Sequence, residues 1–223
     1  MNQVKQLSQN KFSVKNFLLL GTVVCLVITA KIMPYLLGVS GWEIPVDQSW
    51  SYFWNFSPLL PLAIVAGATL ARKWAVMLAV CTWLAGDVAI WLITGDVKNG
   101  FYPMQPAIYS LMLLTVFVGA AGVRFGGEGT QAYQTVRNLL SGAVGATLYF
   151  LLSNFLVWAL GSSAPYPHTL SGLIECYTMA VPFYRNSLIG IAVYVPILTG
   201  LMHSLAPASE LASAHGVKLT ENI

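Results

Sequence analysis

The sequence predicts an all-α membrane protein, a bundle of six transmembrane helices with a short additional helix in the last outer loop. Three observations carry that expectation. Of 223 residues, 57% are hydrophobic and only 9% charged, with mean hydropathy +0.69, whereas a soluble domain is about 25% charged. The apolar residues gather in six runs, most of them near the ~20 residues a helix needs to cross a bilayer core. Seven Trp and ten Tyr supply amphipathic rings suited to a membrane–water boundary. Together these exclude a disordered chain, a disulfide-stapled secreted domain and an ordinary soluble enzyme.

The elements follow in order. Residues 1–16 form a cytoplasmic tail carrying Lys5, Lys11 and Lys15. Span one covers 17–37 and is interrupted by Lys31 and Pro34. Its first part resembles the apolar region of a signal peptide, but Ile28-Thr29-Ala30 is a poor cleavage site, so a retained helix is expected. Span two, 57–71, opens with Pro58 and Pro61, which suit a first helical turn. Its Ala63, Gly67 and Ala71 fall four apart, a spacing that lets another helix approach closely. Span three, 74–94, carries Asp87; span four covers 106–123; span five, 139–160, carries Asn154. In the loop that follows, Leu170, Leu173, Ile174, Tyr177 and Val181 recur at helical spacing. This predicts about four turns capped by Thr169 and ended near Pro182. Span six, 187–205, carries Pro196 and His203, and residues 206–223 form a second cytoplasmic tail.

Orientation follows from the basic residues. With six spans, Lys5, Lys11, Lys15, Arg72, Lys73, Arg124, Arg137 and Lys218 share one side, eight of the eleven. That side is the cytoplasm and holds both termini. Its links are short: a turn at Arg72-Lys73 and the Gly126-Gly127-Glu128-Gly129 loop, which lacks the Lys-Ser/Thr of a phosphate cradle. Eleven basic residues without a dense run give no nucleic-acid signal. Cys25, Cys81 and Cys176 have neither metal-binding nor redox spacing.

An ionisable residue within a span costs about 2.5–3.5 kcal/mol on insertion scales, so each needs a reason. Lys31, Asn55, Asp87, Asn154, His168, Glu175, Arg185 and Asn186 all fall in the outer half or its loops, whereas His203 alone lies in the inner half of a span. This one-sided placement points to a polar ligand pocket open to the outside, walled by Trp54, Trp83, Trp91, Tyr109, Trp158 and Tyr166. Lys31 and Arg185 favour an anionic group on the ligand, Asp87 or Glu175 a cationic one. Purely structural roles stand beside this reading. Lys31 snorkels or pairs with Asp87 to hold helices together. Asn154 is interhelical glue, His168 helps start the short helix, Glu175 pairs with Arg185, and the tryptophans form belts.

No His-Glu-x-x-His, Gly-x-Ser-x-Gly or Walker motif occurs, and no metal-ligand spacing is present. The sequence therefore predicts no enzyme, no cofactor and no bound metal. A proton-driven transporter tends to show broken helices or a repeat between its halves. Pro196 would break span six, but the first half offers no matching feature. A pore needs polar residues along its whole path, and the inner half is nearly bare.

Two stretches carry a family likeness: Asn55-Phe56-Ser57-Pro58, and the run from Ser153 to Asn186. The second contains Ser-Asn-Phe-Leu-Val-Trp, Tyr-Pro-His-Thr-Leu-Ser-Gly-Leu-Ile-Glu-Cys-Tyr and Pro-Phe-Tyr-Arg-Asn. The chain resembles an uncharacterised bacterial family of six-helix membrane proteins, over about residues 17–205. That family is similar in architecture to the substrate-binding S components of energy-coupling factor (ECF) transporters. The resemblance implies a subunit of the bacterial inner membrane that captures a vitamin, metal ion or similar micronutrient from outside. It would hand the ligand over within a complex of a membrane coupling subunit and two ATPases. S components often carry Ala-x-x-x-Ala on the first helix for that coupling subunit. Here span one has Gly21-x-x-x-Cys25, and Ala63-x-x-x-Gly67 lies on span two.

The expected function is thus a non-catalytic, S-component-like binding subunit. Lys31, Asp87, Asn154, His168, Glu175 and Arg185 would contact the ligand, and Asn55 would shape the outer gate. The alternative is a structural or assembly subunit of a larger membrane complex, with no ligand of its own. An intramembrane enzyme using Asp87 and His168 is a weaker third reading, since no nucleophile or metal set accompanies them.

Overall fold

The computed structural model describes residues 14–41, 56–127, 129–161 and 166–205, with the side chains of 14–19 and 205 left aside. Among them the chain is entirely helical: α1 (Val14–Val39), α2 (Leu59–Thr69), α3 (Arg72–Thr94), α4 (Val97–Gly100), α5 (Gln105–Gly126), α6 (Gln131–Leu160) and α7 (Leu170–Leu205). Five of these, α1, α3, α5, α6 and α7, are long and apolar enough to cross a membrane. Their outward faces are as greasy as the core: Leu26, Leu92, Phe125, Leu140 and Ile197 are all exposed. A helix apolar on every side suits a lipid surrounding rather than water. This is the build of a multi-pass membrane protein.

Local chemistry explains the boundaries. Ser57 Oγ accepts the Leu59 N–H at 3.3 Å just before α2, with Pro58 as its N-cap. Gly95, at φ 70°, closes α3 in the left-handed conformation. Asp96 then accepts the Lys98 N–H at 2.9 Å, starting α4, a turn that the periodicity did not reveal. Pro106 sits in the first turn of α5. Thr130 caps α6, and Thr169 caps α7, accepting the Gly172 N–H at 3.2 Å.

Two expectations need correcting. The second apolar run forms a helix of only 11 residues, about 17 Å at 1.5 Å per residue, too short for a core of about 30 Å. It is instead the buried hub of the bundle, touching α3, α5, α6 and α7, with Leu62, Ala63, Ile64, Val65 and Ala66 almost wholly enclosed. Its start meets α7, where Ser57 lies against Gly190 and Phe56 against Tyr194. Its middle packs Ile64 against Gly145 of α6, and its end packs Gly67 against α5. The second correction concerns the outer loop helix and span six, which are one helix of 36 residues running through both Pro182 and Pro196. Proline removes a single backbone donor, and neighbouring helices tolerate that loss where they enclose the chain. The grip of α6 is continuous along this stretch. Tyr177 Oη donates to the Leu151 carbonyl at 2.7 Å, Thr147 and Tyr184 share a hydrogen bond at 2.8 Å, and Asn138 Nδ2 donates to Thr199 Oγ1 at 3.1 Å.

These pairs also set direction. Residues 138, 147, 151 and 158 of α6 match 199, 184, 177 and 167 in and just before α7, so the two are antiparallel. Trp83 of α3 meets Tyr109 of α5 while Arg72 reaches Phe117, so these two are antiparallel as well. Val23 and Val27 of α1 share a core cluster with Leu198 and Met202 of α7. The antiparallel pairing of α3 with α5, and the reach of Arg137 to Gly127, put Arg72, Lys73, Arg124 and Arg137 at one end of the bundle, its basic end. There Arg137 Nη1 donates to the Gly127 carbonyl at 2.5 Å and Tyr133 Oη to that of Gly126 at 2.6 Å, holding the glycine-rich turn.

Candidate functional site

Asp87 organises the opposite half of the bundle. It is 4% exposed and gathers three donors from two other helices. Lys31 of α1 forms an ion pair with Oδ1, Gln105 Nε2 of α5 donates to Oδ2 at 2.6 Å, and Tyr109 of α5 donates its hydroxyl to the same oxygen. Lys31 Nζ also donates to the Trp83 carbonyl at 3.0 Å and lies 5.0 Å from the Trp83 ring centroid, a cation–π distance. Gln105 reaches the Gly100 carbonyl at 2.8 Å, tying α4 into the same network.

The spacing behind this cluster is simple. Lys31 and Tyr35, Trp83 and Asp87, and Gln105 and Tyr109 are each four residues apart, so each pair occupies one helix face. Two glycines make the approach possible. A Cβ at Gly86 would run into the Lys31 side chain, and one at Gly100 would overlap the Asp87 backbone oxygen. The Lys31–Asp87 pair is the only ion pair among the described residues.

A cavity of about 230 Å³ opens beside the network, lined by Lys31, Tyr35, Ser57, Leu59, Leu60, Trp83, Asp87, Ile90, Asn99, Tyr102, Tyr149 and Ser187. A second, of about 240 Å³, lies between α6 and α7 and is lined by Ala146, Tyr149, Phe150, Ser153, Asn154, Ala180, Phe183, Tyr184 and Ser187. Tyr149 and Ser187 are walls of both. Each is somewhat below the ~300 Å³ at which small-molecule sites begin.

Four of the residues singled out in the sequence therefore lie beside these cavities: Lys31, Trp83, Asp87 and Asn154. Asn154 Nδ2 is turned to its own helix, donating to the Phe150 carbonyl at 2.7 Å. His168, Glu175 and Arg185 are exposed and line neither cavity. His168 packs edge-on against Trp158, with ring centroids 5.8 Å apart, and Trp158 Nε1 donates to the Pro167 carbonyl at 3.0 Å. Glu175 and Arg185 stand ten positions apart on the unbroken α7, about 15 Å along its axis, and do not pair. Asn55 and Trp54 lie outside the described residues. Sequence reasoning passed over Gln105, Tyr35, Tyr102, Tyr149 and Ser187. The four-residue spacing of Gln105 and Tyr109 was the available signal for the first of these. Among the described residues, no group of three or more His, Cys, Asp or Glu is placed to hold a metal ion.

The sequence profile of DUF6580, a family of unknown function, matches residues 10–213. The chain belongs to this family. No curated protein and no solved structure matches it. Membership in DUF6580 bears out the likeness to an uncharacterised family and carries no similarity to ECF S components. The Asp87 network and the paired cavities thus describe a DUF6580 protein on its own geometry.

Proposed function

We propose that this DUF6580 protein is the ligand-binding subunit of a bacterial uptake system, capturing a small micronutrient at the outer side of the inner membrane. Partner subunits, S-component fashion, would then drive entry with ATP. The observation that carries this reading is the buried Lys31–Asp87–Gln105–Tyr109 network beside cavities in the half remote from the basic end. By the positive-inside tendency the basic end is cytoplasmic, which turns the cavities outward. One further feature supports a partner. The Ala63-x-x-x-Gly67 seam is consumed inside the bundle against Val116. Gly21 and Cys25 of α1 are exposed, and nothing lies within 4 Å of where a Gly21 Cβ would stand. That seam is open to a neighbouring helix.

The test is gentle purification from the native membrane, followed by mass spectrometry of retained small molecules and identification of co-purifying chains. A retained molecule that Asp87→Ala releases, together with a coupling subunit and ATPases, is the expected result. A stoichiometric respiratory or photosynthetic complex with nothing bound would overturn it in favour of a structural subunit. That second reading draws on one observation: Asp87 already has three donors from its own chain, as a purely structural network would.

A further inference from the structure

Resting on the binding role above, we propose that the site takes an electrically neutral molecule through a carbonyl-type acceptor hydrogen-bonded to Lys31, with Asp87 as a positioning residue that the ligand does not touch. The donor inventory leads there. An ammonium carries three N–H groups and no acceptor. Among the described residues two of those of Lys31 are engaged, by Asp87 and by the Trp83 carbonyl. The Asp87 carboxylate accepts only, and three of its four or so lone-pair sites are taken, one on Oδ1 by Lys31 and two on Oδ2 by Gln105 and Tyr109, which leaves one on Oδ1 beside the ammonium. The lysine side chain is also the more accessible partner, 13% against 6%, and both line the cavity. Of the two groups with a site to spare, the donor is the one that the cavity reaches more easily.

Charge then sets the class. Lys31 and Asp87 cancel each other, so a full anion would compete with Asp87 for the ammonium and leave a buried carboxylate unbalanced. A cation would meet the Lys31 ammonium, and the one lone pair left on Asp87 Oδ1 lies beside that like charge. A neutral carbonyl, as in an amide or lactam, accepts from Lys31 and leaves the pair intact. The aromatic walls Trp83, Tyr102 and Tyr149 provide flat apolar surfaces for a ring attached to it.

The experiment measures binding of a matched series, benzamide, benzoate and benzylamine, to the full chain in lipid nanodiscs. It compares wild type with Asp87→Asn, and native mass spectrometry runs in parallel. Wild type is expected to bind benzamide at least tenfold more tightly than either ion. Asp87→Asn, leaving Lys31 without its counter-ion, should reverse the order and favour benzoate. Preference of the wild type for benzylamine, or an unchanged order in Asp87→Asn, overturns the proposal. If Asp87→Asn does not fold, Lys31→Met/Asp87→Asn replaces it, removing both charges. Loss of benzamide binding in the double variant supports the assignment, and unaltered binding overturns it. If none of the series binds although a native small molecule is retained, this assignment fails and the binding role stands. If nothing binds and nothing is retained, both fall.

Discussion

A carboxylate enclosed within helices must find its donors inside the chain, and Asp87 finds three, on α1 and α5. Removing one charge of such a pair strands the other, which costs about 3–5 kcal/mol. Asp87→Ala should accordingly lower the thermal midpoint of the detergent-solubilised protein steeply. The double variant Lys31→Met/Asp87→Leu, which removes both charges, should unfold at a higher temperature than Asp87→Ala alone. Equal midpoints would show that the pair contributes nothing beyond its separate side chains. Gln105→Leu removes a neutral donor to a charged acceptor and should cost about 1.5–3 kcal/mol. At this scale the sequence was informative where polarity was out of place: Lys31 and Asp87 stood out because lipid penalises them. Gln105 did not, since a glutamine at the start of a span resembles ordinary loop residue. His168, Glu175 and Arg185 were placed near the site by position along the chain. Helical phase turns Glu175 and Arg185 to the surface, and phase is lost when a helix is taken to end at Pro182; His168 is exposed in the turn before α7.

Among the elements, α2 and α5 make the closest approach. A Cβ at Gly67 would overlap the Val116 carbonyl, and one at Gly119 that of Ile64. Gly67→Leu and Gly119→Leu should each prevent stable folding, read as loss of the monodisperse peak in size-exclusion chromatography. Gly21→Leu, on the open face of α1, should leave that peak unchanged. The small-residue spacing on the second apolar run was readable in advance, but its partner was not, because small residues announce closeness without naming what comes close. Span boundaries were read to within a few residues wherever hydropathy falls sharply. They failed at 131–138, where α6 starts ahead of its apolar run, and at 182–187, where α7 continues through Pro182 instead of ending there. Pairing between the two, not hydropathy, sustains them there.

For the whole molecule, sidedness is the decisive property. Arg72, Lys73, Arg124 and Arg137 sit at one end and the cavities in the other half. In a cysteine-free background, a cysteine at position 98 should react in intact cells with a membrane-impermeant maleimide. One at position 124 should react only after permeabilisation. The reverse pattern would turn the cavities toward the cytoplasm and defeat a scavenging role.

The brevity of α2 has a consequence for biogenesis. At 11 residues it is a poor substrate for the insertion machinery, and the surfaces that enclose it belong largely to helices synthesised after it. The ribosome must deliver α5, α6 and α7 before α2 has anywhere to settle. Nascent chains halted before Gln105 should therefore leave residues 57–71 exposed to protease, and chains released after Leu205 should shield them. Assembly of this bundle closes around a segment that has been waiting since early in translation.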